Sequence, residues 1–154
     1  MAIETLIKGH RVIVSDEDGY LLSAHKWHVS KSKNTYYART FIDGKVVGLH
    51  NLIIHPHQGL IVDHINHNGL DNRRCNLRVC TRQENARNAL KPLINGTSSI
   101  YKGVSKCPGG WSAHIRVEKR TLHLGTFRTE ARAAEVYNEA AIKYFGEFAC
   151  LNIL

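Results

Sequence analysis

The chain has 154 residues, a hydrophobic fraction of 43% and a formal net charge of +8 at pH 7. This length allows one ordinary domain or two or three very small ones, and the apolar content is typical of a globular rather than a disordered protein. No apolar run approaches the roughly 20 residues of a membrane span, so no membrane partner is expected. The positive charge is spread along the chain and favours nucleic acid as a partner, although a basic protein without such a partner has the same balance.

The four cysteines contain no C-x-x-C pair. Their spacing gives little support to zinc or iron–sulfur ligation, so no structural zinc is expected. Two disulfides would require an oxidising compartment, and the sequence shows no signal peptide that leads to one. We therefore expect reduced, mostly buried thiols in a cytoplasmic protein.

Residues 1–48 predict a small β-rich unit. Short strands are expected at residues 11–14, 27–31, 35–41 and 45–47. Asp43-Gly44 is a strong hairpin signal between the last two strands, and Ser15 before the acidic residues 16–18 suits a helix cap. Nothing in this segment has catalytic character, which favours a scaffold role.

Residues 49–90 predict the order helix, strand, loop, strand, helix. The first helix should end before Pro56. The two strands are expected at residues 60–65 and 76–80. Thr81 and Glu84 fit a capping box, so the second helix should begin there and carry Asn85 in its first turns.

Residues 91–98 have the composition of a linker, and the pattern changes after them. Three strands are expected in the last segment, at residues 101–106, 111–117 and 121–126. Thr129 can cap a final helix that runs to about Phe145 and closes at Gly146. The predicted fold class is therefore α+β, with a three-stranded antiparallel sheet packed on one helix in residues 99–154.

Three polar residues of the middle segment suit phosphodiester hydrolysis. Asp63 and His64 stand at the end of a predicted strand, and Asn85 follows on a helix. A hard cation such as Mg²⁺ takes oxygen ligands, so a carboxylate and an amide oxygen would hold it together with phosphate and water. An imidazole of pKa about 6.5 can take a proton from water near neutral pH. Since neighbours in a strand point to opposite faces, Asp63 and His64 share a site only if the strand end splays them.

The surroundings of these residues closely resemble the HNH endonuclease family, whose core is the ββα-metal fold. The resemblance runs in register over about residues 49–88, and His50 lies where related sequences usually have a His before the core. The matching segments are Val62-Asp-His-Ile-Asn66, Leu70-Asp-Asn-Arg73, Asn76-Leu-Arg78, Cys80-Thr81 and Glu84-Asn85.

This resemblance implies roles for individual residues. His64 is expected as the general base, and Asp63 and Asn85 as ligands of Mg²⁺ or another divalent cation such as Mn²⁺. Asn76 is expected to pin the loop between the strands through backbone hydrogen bonds, and no organic cofactor is implied. Three basic residues are candidate phosphate contacts, although Asp71 offers one of them an ion pair instead: Arg73, Arg74 and Arg78.

Residues 99–154 resemble a second family, the plant APETALA2/ethylene-response-factor DNA-binding domain. The matching segments include Tyr101-Lys-Gly-Val104, Trp111-Ser-Ala-His-Ile-Arg116, His123-Leu-Gly-Thr-Phe127 and Tyr137-Asn-Glu-Ala-Ala141. That family lays its sheet into the major groove of duplex DNA, with the helix behind it. Strand alternation places Ala113 and Ile115 toward the helix and leaves His114 and Arg116 for DNA. The candidate DNA contacts are Lys102, Lys106, His114, Arg116, Arg120 and His123.

Several positions depart from the plant pattern. Ser105, His114, Thr121 and His123 stand where the plant domains typically have Arg, Glu, Arg and Trp. The target sequence of the plant domains therefore does not carry over.

Together the resemblances predict a DNA endonuclease of phage or mobile-element type, of the homing or nicking kind, in the cytoplasm of a bacterial host. One ββα site cuts one strand at a time, so a monomer should nick, and a double-strand break would need a homodimer or sequential cuts. Two other functions stay open. One is a non-catalytic DNA-binding regulator with a vestigial nuclease core, and the other is a nuclease for RNA, against which the major-groove sheet argues.

Overall fold

The computed structural model describes residues 1–32, 35–92 and 96–154. Short helices and small sheets alternate along the chain, which confirms the predicted α+β fold. The chain divides into two compact units, Met1–Gln83 and Glu84–Leu154. No helix in the described ranges is long and apolar enough to cross a membrane.

The first unit contains most of the short elements. In chain order they are β1 (Ala2–Ile7), β2 (His10–Ser15), α1 (Tyr20–Ala24), β3 (His28–Ser32), β4 (Thr35–Ile42), β5 (Lys45–Gly48), α2 (Leu49–Ile54), β6 (Ile61–His64), β7 (Asp71–Asn72) and β8 (Leu77–Cys80). The next helix, α3 (Arg82–Asn88), begins in this unit and continues into the second.

Three small sheets organise the first unit. Their strand orders are β1-β2-β7, β3-β4-β5 and β6-β8. The pair β2 and β7 is parallel, with Ile13 opposite Asp71 and Val14 opposite Asn72. This pairing ties the N-terminal strands to the loop between β6 and β8.

Local turn signals gave correct expectations in this unit. Asp43 and Gly44 join β4 to β5, and both have positive φ, 49° and 73°. This conformation is what a two-residue hairpin with Asp-Gly requires. Likewise α2 ends at Ile54, before Pro56, with His55 in the left-handed conformation.

One hydrophobic core runs through residues 1–83. Its buried members come from both sides of the predicted boundary between 48 and 49: Val12, Val14, Leu21, Ala38, Leu49, Ile53, Leu70 and Leu77. The β-rich segment and the segment that follows it therefore share one core. A shared core is favourable for segments this short, because a small chain buries only a limited part of its surface when it folds alone.

The second unit is a three-stranded antiparallel sheet with a helix across it. Its elements are β9 (Val104–Cys107), β10 (Gly110–Val117), β11 (Arg120–Phe127) and α4 (Glu130–Phe145). Ala113 packs with Ala133 and Ala134, and Ile115 packs with Tyr137. The predicted helix-facing side of β10 is thus confirmed. Small residues on α4 let the helix lie close to the sheet.

The two ends of α4 follow their sequence signals. The Thr129 hydroxyl accepts a hydrogen bond from the Arg132 backbone N–H at 3.3 Å, and Gly146 closes the helix with φ of 53°. Both features were expected, since an N-cap threonine and a C-terminal glycine satisfy groups that a helix leaves open.

Other expectations were wrong or fall outside the described residues. Ser15 makes no side-chain cap bond, and residues Asp16–Asp18 form only a 3-10 turn. The first strand of the second unit begins at Val104 rather than 101, because Gly103 with φ of 73° breaks the extended run. The sequence did not predict β1, α1 or β7. Part of the predicted linker, residues 93–95, lies outside the described ranges.

Residues 1–48 share a core with the segment that follows. A cavity made by truncating a buried side chain of β2 should therefore lower the stability of β6. Val14→Ala removes a side chain with 0% exposure and should lower the free energy of unfolding by about 2 kcal/mol. Amide hydrogen exchange of Ile61–His64 should accelerate accordingly. The control, Val46→Ala on β5, changes a side chain that is 52% exposed and should have little effect. Unchanged exchange in β6 after Val14→Ala would show that the two segments fold separately.

Candidate active site and nucleic-acid interface

The last two residues of β6 carry the predicted chemistry. Asp63 and His64 are both buried, with 6% and 5% of their surface exposed. In the pairing with β8, Asp63 lies opposite Arg78 and His64 lies opposite Leu77. Adjacent strand residues meet different neighbours, as the alternation of a strand requires. The negative charge of Asp63 nevertheless acts to raise the pKa of His64.

A guanidinium group neutralises the Asp63 carboxylate. Arg78 donates from Nε at 3.0 Å and from Nη2 at 2.8 Å, both to Oδ2 of Asp63. Both side chains are largely shielded from solvent, where a charged group is stable only when it is paired and hydrogen-bonded. Arg78, predicted as a phosphate contact, thus already has a partner in the predicted metal ligand. Its contact with phosphate stays a prediction.

The imidazole of His64 is oriented by an asparagine that the sequence did not single out. His64 Nε2 lies 3.2 Å from Oδ1 of Asn72, which is fully buried at 0% exposure. In the tautomer in which Nε2 donates to this amide oxygen, the basic lone pair lies on Nδ1. The buried amide nitrogen of Asn72 has no hydrogen-bond partner within the described part of the chain.

Two further rings pack around His64. The His50 ring lies 5.1 Å from it and the Tyr37 ring 5.7 Å, both in edge-to-face geometry. Tyr37 and His50 also contact each other at 5.5 Å. Tyr37 comes from β4 and His50 from α2, so the N-terminal strands help to enclose the imidazole.

Burial lowers the pKa of both histidines and so favours their neutral forms. It lowers the pKa of His64, although the hydrogen bond to Asn72 and the charges of Asp63 and Asp71 act in the opposite direction. Burial also lowers the pKa of His50 to about 3, with smaller contributions from His64 and Arg39. A neutral His64 can accept a proton near pH 7.

Asn76 ties together the loop between β6 and β8. Its Oδ1 accepts from the Asn66 backbone N–H at 3.0 Å, and its Nδ2 donates to the Asp71 carbonyl oxygen at 2.7 Å. The same Nδ2 also donates to Asn66 Oδ1 at 3.0 Å. These bonds bridge two points of the loop. The loop in turn presents Asn72 to His64.

The remaining two candidate phosphate contacts of this unit also have carboxylate partners. Arg73 donates from Nε and Nη2 to the two oxygens of Asp71, at 2.8 and 2.7 Å. That contact lowers the pKa of Asp71. Arg74 donates in the same two-pronged way to Asp18, at 2.8 Å each. Both arginine side chains remain partly exposed, 42% and 46%, so contact with phosphate stays a prediction for each.

The predicted metal ligands form a sparse set. Within the described ranges, no group of three or more His, Cys, Asp or Glu side chains is arranged to hold a metal ion. A hard divalent cation needs fewer protein ligands, because phosphate and water complete its shell. The buried Asp63 carboxylate beside a neutral imidazole fits that chemistry. Asn85 lies on α3 among the residues of the second unit, and its ligand role stays a prediction.

The face of the second sheet that is turned away from α4 carries two of the predicted DNA contacts, His114 and His123. His114 Nε2 and His123 Nδ1 lie 3.2 Å apart, and Ser112 Oγ approaches both at 3.4 and 3.2 Å. The two strands bring these side chains together through the pairing of His114 with His123, just after a register shift in β10. Three further candidates are exposed: Lys106, Arg116 and Arg120. By strand alternation Arg116 shares the face of His114, whereas Lys106 pairs with Trp111 and Arg120 pairs with Val117, on the side of α4. Contact with DNA stays a prediction for all five residues.

Lys102, the sixth predicted contact, is placed differently. Its ammonium donates to the backbone carbonyl oxygens of Arg87 and Ala89, at 2.6 Å each. Burial lowers the pKa of Lys102. These contacts give Lys102 an internal role that the plant pattern does not imply, and its contact with DNA stays a prediction.

Comparison with known proteins identifies the family. The HNH endonuclease family matches residues 49–87. The chain is 34% identical over 151 residues to an uncharacterised HNH endonuclease of Acanthamoeba polyphaga mimivirus, covering 94% of this chain and 76% of that protein. The chain therefore belongs to the HNH endonuclease family, whose members generally use a divalent metal. No solved structure matches it.

A part of the chain is also similar to plant DNA-binding proteins, which confirms the second resemblance. It is 49% identical over 59 residues to an AP2-like ethylene-responsive transcription factor of Arabidopsis thaliana. It is 43% identical over 56 residues to dehydration-responsive element-binding protein 1E of Oryza sativa subsp. indica. These matches cover 36% and 34% of this chain, and only 12% and 26% of the plant proteins.

His50, whose ring is largely enclosed, should make the first unit sensitive to acid. Its native pKa of about 3 lies below the ordinary 6.5, so the unfolded chain binds more protons as the pH falls. The free energy of unfolding should therefore drop as the pH falls from about 6.5 to about 3, by up to about 1.4 kcal/mol per pH unit from this residue. His50→Phe keeps a ring without the titration and should flatten the drop in urea unfolding. The exposed His57→Phe is the control, and equal pH slopes in both variants and the wild type would contradict the expectation.

Proposed function

We propose that this chain is a metal-dependent endonuclease that hydrolyses phosphodiester bonds in double-stranded DNA. The observation that carries the proposal is the burial of Asp63 and His64 together at the end of β6, with the His64 ring held by Asn72. Membership of the HNH endonuclease family supports nuclease activity in general. The AP2-like similarity supports DNA rather than RNA as the nucleic acid.

Each residue has a defined part in this proposal. Asn72 holds the His64 ring through Nε2, so that Nδ1 is the atom that takes a proton from the attacking water. Asn76 keeps the loop that carries Asn72 in place. Asp63 and Asn85 would hold the divalent cation, Mg²⁺ or Mn²⁺. When bound, the cation supplies positive charge to the phosphate and to the leaving 3′ oxygen.

The finer description is a site-selective enzyme of the homing or nicking kind, of phage or mobile-element origin, working in the cytoplasm of a bacterial host. One ββα site per chain supports nicking by a monomer, and a homodimer would bring two such sites to opposite strands. The support for site selection is the exposed sheet face with His114, Arg116 and His123, because base pairs differ in their major-groove edges.

One observation favours the alternative of a non-catalytic DNA-binding regulator. Both donors of Arg78 are directed at Oδ2 of Asp63, the predicted metal ligand. A vestigial core would keep such an ion pair in place of a cation. The two functions differ in whether DNA is cut when it is bound.

A plasmid assay decides between these functions. With Mg²⁺ or Mn²⁺ the wild type should convert supercoiled DNA to the nicked form. His64→Ala should lose about 10²-fold or more in rate while DNA affinity persists, since the variant lacks only the proton acceptor. The exposed His57→Ala is the matched control and should cut like the wild type. Binding without cutting by the wild type, under every divalent ion, would establish the regulator. Equal loss of cutting and binding in His64→Ala would show that His64 is structural.

The sheet face should govern affinity and site preference. Arg116→Ala should weaken binding to the preferred site by about 1–3 kcal/mol and relax the preference, as expected when a base contact is lost. Lys143→Ala removes one positive charge from the outer side of α4 and should leave the preference intact. The measurement is a binding titration against specific and random duplexes. Equal effects of the two variants would contradict the role of the sheet, and better competition by duplex RNA than by DNA would favour the RNA-directed alternative.

A further inference from the structure

The C-terminal end of α3 is held by a lysine of the second unit. The helix ends at Asn88, and its last carbonyl oxygens have no partners within the helix. Lys102 Nζ lies 2.6 Å from the carbonyl oxygens of Arg87 and of Ala89. A cation at this end is favoured by the helix dipole, and hydrogen bonds from a charged donor are stronger than neutral ones.

Two more basic side chains fix the same stretch of chain. The guanidinium group of Arg87 lies over the Phe145 ring of α4, 4.9 Å from its centre. Further along, Lys91 Nζ donates to the carbonyl oxygens of Ser99 and Tyr101, at 2.9 and 2.8 Å. The end of α3 and the residues after it are therefore attached to the sheet and helix of the second unit.

The backbone of Lys102 is itself fixed from α4. Its N–H donates to Asn152 Oδ1 at 2.6 Å, and its carbonyl oxygen accepts from Asn152 Nδ2 at 3.1 Å. Asn152 is bound in turn by Asn138, whose Oδ1 accepts from the Asn152 backbone N–H at 2.7 Å. These hydrogen bonds hold the Lys102 backbone in place, and with it the start of the side chain that carries the ammonium group.

We propose that Lys102 is a positioning residue of the nuclease. It attaches helix α3, which contains Asn85, to the sheet and helix of the second unit. The carbonyl oxygens that it binds lie within about one helical turn of Asn85. This inference rests on the proposed function, in which Asn85 is a metal ligand. In that function, the residues that hold α3 within the second unit would set the position of Asn85. This role also separates Lys102 from the phosphate contacts.

Lys102→Met tests the inference, with Lys106→Met as the matched variant on the neighbouring strand. Lys102→Met should leave DNA affinity and its salt dependence unchanged, accelerate amide exchange across residues 84–89 by about tenfold or more, and lower cleavage at saturating DNA by a similar factor. Lys106→Met should instead lower the salt slope of binding by about one, and leave exchange in α3 unchanged.

The outcomes that would overturn the inference are distinct from failure of the proposed function. If the wild type does not cut DNA, the proposed function fails. If the wild type cuts and Lys102→Met lowers the salt slope as Lys106→Met does, Lys102 is a phosphate contact. Unchanged exchange and cleavage in Lys102→Met would equally overturn its positioning role. Should Lys102→Met unfold the second unit, Arg87→Gln loosens the same helix end more mildly. It should accelerate α3 exchange and slow cleavage with binding retained, and wild-type behaviour would refute the inference.

Discussion

The parallel pairing of β2 with β7 is the contact on which the active site depends. Strand β7 has only two residues and cannot exist without a neighbour, so Val14 and Ile13 supply the edge that holds it. The Ile13 N–H also donates to the Leu70 carbonyl oxygen at 2.9 Å. This pairing fixes Asn72, and Asn72 fixes the His64 ring. The N-terminal strands therefore act on the candidate active site through geometry, because they hold the loop that carries Asn72.

Internal ion pairs divide the basic residues into two groups with different functions. Buried carboxylates in the first unit each hold a guanidinium: Asp18 with Arg74, Asp63 with Arg78, and Asp71 with Arg73. A buried carboxylate without such a partner would be costly, so these arginines stabilise the fold whatever else they contact. On the second sheet Arg116 and Arg120 are exposed, and the role proposed for them is contact with a nucleic acid.

Sequence similarity and structure assign helix α3 to different parts of the chain. Its sequence matches the HNH family, yet its residues from Glu84 onward group with the second unit. The contacts of Lys102 and Arg87 give the reason, because they bind the helix end to α4 and the sheet. A family boundary drawn from sequence and a structural boundary drawn from contacts therefore differ by a few residues, and Asn85 lies between them.

The sequence alone determined the features that depend on neighbours in the chain. The Asp43-Gly44 turn, the Thr129 cap and the alternation that buries Ala113 and Ile115 were all predicted, because each follows from the local conformational preference or periodicity of a short segment. Only the tertiary structure decided the contacts between distant positions. Two such contacts are the hydrogen bond between Asn72 and His64 and the bond from Lys102 to the end of α3. The residues next to a short polar side chain in the sequence do not indicate which distant group it will contact. Packing of the folded core decides which two groups meet.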